Sequence, residues 1–151
     1  MIIDLSQPKI CDNIYMNEEF YTELVVTSRT LTPEHLNSVL GMRFDKGYHT
    51  GDVRGRSTIK SKENSWIIYS RISRNLPLEN HIKDLLEGVS PISEKIRTVA
   101  DQSDFEVIFG CIIYTRDRPA LFFTKEQVAT IYRMGAGIDI DLYFLPKRRN
   151  K

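Results

Sequence analysis

Cysteine is scarce in this 151-residue chain: Cys11 and Cys111 lie far apart and form no CxxC pair. Nothing in that spacing calls for a disulfide or a thiolate metal site. Cys111, inside FEVIFGCIIY, reads as a small buried thiol. Long apolar runs are missing too, and no stretch approaches the ~18 residues of a membrane span. The opening MIIDLSQPK lacks the basic start and long apolar run of a secretory signal, so a cytoplasmic protein is expected. Histidine is limited to His35, His49 and His81, with no HxH or HExxH spacing. There is no GxSxG elbow, Walker loop or GxGxxG fingerprint, and YHTGDVRGRS lacks the Lys-Ser/Thr of a phosphate-binding loop. Neither a cofactor nor a metal is expected from these patterns.

Net charge is nearly absent as well: a formal +1 gives no global attraction to nucleic acid or membrane. The charge is unevenly placed, however. Residues 1–23 carry Asp4, Asp12, Glu18, Glu19 and Glu23 against Lys9 alone. Residues 43–62 carry Arg43, Lys46, Arg54, Arg56, Lys60 and Lys62 against Asp45 and Asp52, and the tail PKRRNK is basic throughout. With 41% hydrophobic and 27% charged residues, the composition is that of one folded domain, 1–151, able to bury its own core. Residues 1–19 form an extension, 20–145 the core and 146–151 a basic tail.

Periodicity orders the elements. FYTELVVTSRTL, 20–31, alternates Phe20, Leu24 and Val26 against Tyr21, Glu23, Thr27 and Arg29, as a strand does. TPEHLNSVLGM predicts a short helix: Thr32 caps it, Pro33 suits its first turn, Leu36, Val39 and Leu40 form a stripe, and Gly41 ends it. A long aperiodic stretch follows, from 42 to about 65, punctuated by Gly47, Gly51 and Gly55. SWIIYSRIS is the next strand, with Trp66, Ile68 and Ile72 on one face and Trp66 as a core anchor. LPLENHIKDLLEGV is helical, placing His81 at a polar or boundary position, and Ser90-Pro91 restarts a second helix carrying Ile92, Ile96 and Val99. DFEVIFGCIIY is apolar at nearly every position, as an interior strand covered on both faces, or an edge that meets a partner, would be. Thr124 and Gln127 form a capping-box pair opening TKEQVATIYRMG, whose Val128, Ile131 and Met134 are expected to face inward. GAGIDIDLYF is the final strand.

The pattern Thr-x-Glu-x-apolar recurs at Thr32 and Thr124, each time between two strands. Two βαβ halves closing into one sheet, mainly antiparallel and packed by helices, predict a ferredoxin-like α+β two-layer sandwich.

TPEHLNSVLGM, the Gly51-Asp52 pair, the single Trp66, NHIKDLLEGV and the terminal MGAGIDIDLYF together resemble the bacterial domain of unknown function 4279 family, over about residues 20–145. The loop MRFDKGYHTGD lacks the proline-containing segment often found there in the family. The resemblance implies a small bacterial α+β domain and supplies no reaction, cofactor or substrate.

Candidate surfaces remain. In the last strand Asp139 and Asp141 point the same way, Cα atoms roughly 6.6 Å apart, with Tyr143 beyond them. Ile138, Ile140, Leu142 and Phe144 are expected to turn toward the core. The acidic pair is either the wet side of a strand or a carboxylate site for a cation or basic partner, and each reading needs a nearby Arg or Lys. In the glycine loop, Tyr48, His49, Asp52, Arg54, Arg56 and Lys60 combine basic and aromatic groups of the kind that contact phosphates or an acidic protein surface. The expected function is a non-enzymatic binding module with a protein partner, in its most concrete form an immunity or antitoxin-like protein. The alternatives are a nucleic-acid-binding module using the basic loop, and a small-molecule or metal-dependent enzyme centred on His49, Asp52, Asp139 and Asp141. A free sheet edge would also allow a homodimer.

Overall fold

The computed structural model describes residues 17–55 and 58–147. It is an α+β fold of five strands, β1 (Glu19–Ser28), β2 (Lys46–Tyr48), β3 (Asn64–Tyr69), β4 (Phe105–Thr115) and β5 (Gly137–Phe144). Four helices accompany them: α1 (Pro33–Leu40), α2 (Leu78–Val89), α3 (Ser93–Ala100) and α4 (Lys125–Arg133), with a 3-10 turn over Ser90–Ile92 joining α2 to α3. The strands form one sheet in the order β2-β3-β1-β4-β5. All neighbours are antiparallel except β4 and β5, which run parallel.

Strand alternation sorts the sheet into two faces. Leu24, Val26, Trp66, Ile68, Val107, Phe109, Cys111 and Ile113 point to one side. There they meet Leu36 and Leu40 of α1, Ile82, Leu85 and Val89 of α2, Ile96 and Val99 of α3, and Ile131 and Met134 of α4 in a single core. Trp66 is fully buried and its indole N–H donates to Asn37 Oδ1 at 3.0 Å, tying β3 to α1. The helix ends follow the sequence signals. Thr32 accepts from the His35 N–H, Gly41 adopts φ 70° at the end of α1, and the Thr124–Gln127 capping box is complete.

The expected halves paired residues 20–31 with 65–73, and 104–114 with 135–144, as two βαβ units. The second expected half stands, with β4 and β5 parallel and joined through α4, but the first needs correction. In the structure β1 and β3 are antiparallel neighbours. The first crossover therefore runs β1-α1-β2, with β3 between its two strands. The physical reason is β2, three residues inside the glycine loop, too short to leave an alternation in the sequence. That loop is not structureless: beyond β2, Val53 bridges to Lys60 and the Gly51 N–H donates to Ser61 O at 2.8 Å.

Three side-chain placements also differ from expectation. His81 is fully buried. Its Nε2 lies 3.1 Å from Ser73 O and its Nδ1 2.7 Å from Ser70 Oγ. A carbonyl only accepts, so Nε2 carries the proton and Nδ1 accepts from the Ser70 hydroxyl. Burial holds this imidazole below its ordinary pKa, in keeping with the neutral form. Val39 and Val128 are nearly half exposed rather than core-facing. Finally, Ile138, Ile140 and Leu142 lie on the helix side of β5 but are 42%, 40% and 41% exposed, and Phe144 is 69% exposed. β5 is the outermost strand, and α4 does not reach far enough to cover it.

Candidate functional site

Among the described residues, no helix covers the second face of the sheet. Across its β1–β5 end run Tyr21, Glu23, Tyr69, Gly110, Ile112, Tyr114, Asp139, Asp141 and Tyr143, fixed on one side by register. Glu23 stands opposite Tyr69 on β3 and Gly110 on β4, Gly110 opposite Asp139 on β5, and Ile112 opposite Asp141. Both aspartates expected as a pair are therefore here, Asp139 exposed and Asp141 half-buried. A third carboxylate joins them from β1. Glu23 is only 7% exposed.

Gly110 makes room for it. A Cβ at this position would come within 3.0 Å of Glu23 Cγ and 3.3 Å of Oε1, so the Glu23 side chain lies across β4, over Gly110. Among the described residues no hydrogen-bond donor reaches that carboxyl. Burial, reinforced by the charge on Asp141, raises its pKa from 4.5 to about 7, against a lowering influence from Arg54. Burial and the neighbouring Asp139 also raise Asp141. Tyrosines form the walls. Tyr21 and Tyr69 meet edge to face with centroids 5.9 Å apart, and Tyr114 and Tyr143 stack at 4.7 Å. Arg74 lies 4.0 Å above the Tyr21 ring.

The basic loop partly joins the same face, at its other end. Arg54 donates to Ser61 Oγ at 2.9 Å and to Ser65 Oγ at 2.8 Å, and its guanidinium lies 4.4 Å above the Tyr48 ring. Lys46 approaches Tyr48 as well. This face therefore runs from basic at β2 to acidic at β5. His49 and Asp52 do not share it with the aspartates. His49 Nε2 is 2.8 Å from Glu34 Oε2 and its Nδ1 is 3.5 Å from Asp52 Oδ2, an exposed cluster beside β2 at the opposite edge from β5. The four-residue constellation His49, Asp52, Asp139 and Asp141 is not assembled. Lys60 is exposed, and Arg56, like the tail beyond Lys147, lies outside the described residues.

Among the described residues no three His, Cys, Asp or Glu side chains are grouped so as to hold a metal ion, and no helix is long and apolar enough to cross a membrane. Sequence reasoning placed Glu23 on the polar side of its strand but did not connect it with Asp139 and Asp141. A glycine inside an otherwise apolar strand was the available signal.

A family model described as Domain of unknown function (DUF4279) matches residues 18–145, and the chain belongs to that family. No curated protein and no solved structure matches it.

Proposed function

We propose that this member of the domain of unknown function 4279 family acts without catalysis, as a module that binds a partner protein along the β5 edge. The observation that carries the reading is β5 itself: an eight-residue outer strand with one exposed apolar row and one acidic row. An uncovered strand edge offers backbone N–H and C=O groups to an incoming strand, and alternate side chains then give selectivity. The segment and helix leading into β5 add Phe122 and Tyr132, both more than 70% exposed.

A second copy of this chain fits the edge poorly. Symmetric antiparallel pairing of the full strand sets Asp139 against Asp141 of the other copy, or Asp141 against itself, and like charges directly opposite are unfavourable. A foreign segment with basic residues suits the acidic row better. The narrower form, an immunity-like protein that covers a basic functional surface, rests on that charge match. Nucleic-acid binding is less well supported, because Arg54 is engaged by Ser61, Ser65 and Tyr48. For the fold, the order β2-β3-β1-β4 with antiparallel neighbours supports a ferredoxin-like βαββαβ unit, extended by α4 and β5.

The test is affinity capture from the native host at low salt, run in parallel with Ile140→Asp and Leu142→Asp. A stoichiometric protein held by the wild type and lost by both variants is expected. Capture that ignores these substitutions refutes the β5 surface, and no stoichiometric partner refutes the binding reading.

A further inference from the structure

We propose that the notch formed by Glu23, Gly110, Asp139 and Asp141 receives one organic cation, the guanidinium or ammonium group of a basic side chain on the segment that β5 takes up. The inference rests on the binding reading above and assigns that partner's chemistry. Glu23 is more than nine-tenths buried, is aimed over Gly110 toward β5, and has no hydrogen-bond donor among the described residues. A buried carboxylate without a donor is an unfavourable arrangement that a cation relieves.

The geometry also selects the kind of cation. The carboxylates are strung across three strands in register, and no three of them are grouped around one point as a metal ion requires. A planar guanidinium with five donors, or an ammonium with three, can serve oxygens spread in this way. Gly110 carries no side chain, so the Glu23 carboxyl can lie over it toward β5, where a group brought in beside Asp139 could meet it. Aromatic ring faces attract cations within about 6 Å. Arg74 on Tyr21 and Arg54 on Tyr48 show the same pairing within the chain. A strand added to β5 brings alternate side chains to this face, next to Asp139 and Asp141.

Two probes separate a peptide side chain from a free small cation: acetyl-Val-Arg-Val-Arg-Val-amide and acetyl-arginine methylamide. Each is titrated into isotope-labelled protein, following the Gly110 and Asp139 amides and the Glu23 carboxyl carbon. A peptide with citrulline in place of arginine keeps the shape without the charge. The arginine peptide should shift these signals, bind about tenfold or more tightly than the citrulline peptide, and lose about the same factor in Glu23→Gln. On saturation the Glu23 carboxyl should titrate below its free value of about 7. Comparable binding of acetyl-arginine methylamide alone would support the cation site and replace a peptide source with a small molecule. Equal affinity for arginine and citrulline peptides, unchanged binding by Glu23→Gln, or no shift with either probe overturns the notch. Ile140→Asp distinguishes the two readings. If it abolishes binding while Glu23→Gln does not, the edge stands and the notch falls; the reverse pattern keeps the notch and removes the edge.

Discussion

Replacing Glu23 with Gln should stabilise the protein, and by an amount that depends on pH in a defined way. The Glu23 carboxyl is raised from 4.5 to about 7 by burial and by the charge of Asp141. Below pH 4.5 the folded and unfolded chains both carry the proton, and the fold bears no charge penalty. As the pH rises from about 4.5 to 7, the unfolded chain ionises first while the folded one retains its proton, so stability falls with each step in pH. Above about 7 both are ionised and the loss is complete. At about 1.4 kcal/mol for each pH unit, a difference of about 2.5 units amounts to about 3 kcal/mol. Gln keeps the shape and cannot ionise, although its amide N–H groups then need acceptors, which Asp139 and Asp141 can supply. The gain over wild type should therefore be near zero at pH 4.5, grow to about 3 kcal/mol by pH 8, and stay flat beyond. For a domain of this size that is roughly 6–12 °C in Tm. Among the described residues, the charged and titratable groups facing Glu23 are Asp139 and Asp141 from β5, Arg54 from the loop, and Tyr21 and Tyr69 from β1 and β3. They are present in both proteins, so the difference curve isolates Glu23. Chemical denaturation of both proteins from pH 4.5 to 8.5 measures it. A pH-independent difference, or a variant less stable at pH 8, would refute the burial of an unpartnered carboxylate.

Other substitutions probe the frame around this site. His81→Ala leaves the Ser70 hydroxyl and the Ser73 carbonyl without their partner and opens a cavity, and should cost about 2–4 kcal/mol in urea unfolding. Because its imidazole titrates below its ordinary value, the His81 contribution is full above pH 6.5 and is lost as the pH falls through the folded-state pKa; the variant's deficit should shrink in acid. Thr124→Ala removes one side of the capping box of α4 and should cost about 1 kcal/mol by thermal melting. Gly135→Ala meets both a φ of 72° and a Cβ within 2.7 Å of Ala100 Cβ, so about 2 kcal/mol or more of destabilisation is expected by the same measurement.

Much of the architecture was legible because its signals are local. The Thr32 and Thr124 caps, the Gly41 stop and the 2- and 3.6-residue periods of β1, α2 and β4 depend on near neighbours in the chain. What was lost depends on partners distant in sequence. β2 carries only Lys46, Gly47 and Tyr48, and it is a strand because the β3 edge is there to pair with it. His81 looked like a boundary residue since its polarity suggests water. Its buried position depends on Ser70 and Ser73, which only the turn into α2 brings within reach. The apolar residues of β5 alternate as a core strand's do, and alternation alone says which side they take. Whether that side is covered depends on how far α4 extends over the outermost strand.

The same distinction explains the site. Asp139 and Asp141 were visible as a pair because a strand's period places i and i+2 together, whereas the charge that changes their meaning comes from β1. Glu23 joins them only through the antiparallel register of β1 with β4 and the parallel register of β4 with β5. Gly110 is the link that carries information in both directions. Within FEVIFGCIIY every neighbour adds apolar bulk, and a glycine there sacrifices packing and chain stiffness. The Glu23 carbon chain takes the room of the absent side chain, 3.0 Å from where a Cβ would sit. A larger residue at 110 would push Glu23 off the strand and toward solvent, and Gly110→Ala is the direct check. It should bring the Glu23 carboxyl back toward its ordinary pKa in a carbon-13 titration and weaken the arginine peptide. A carboxyl still titrating near 7 in that variant would mean that Gly110 is not what seats Glu23.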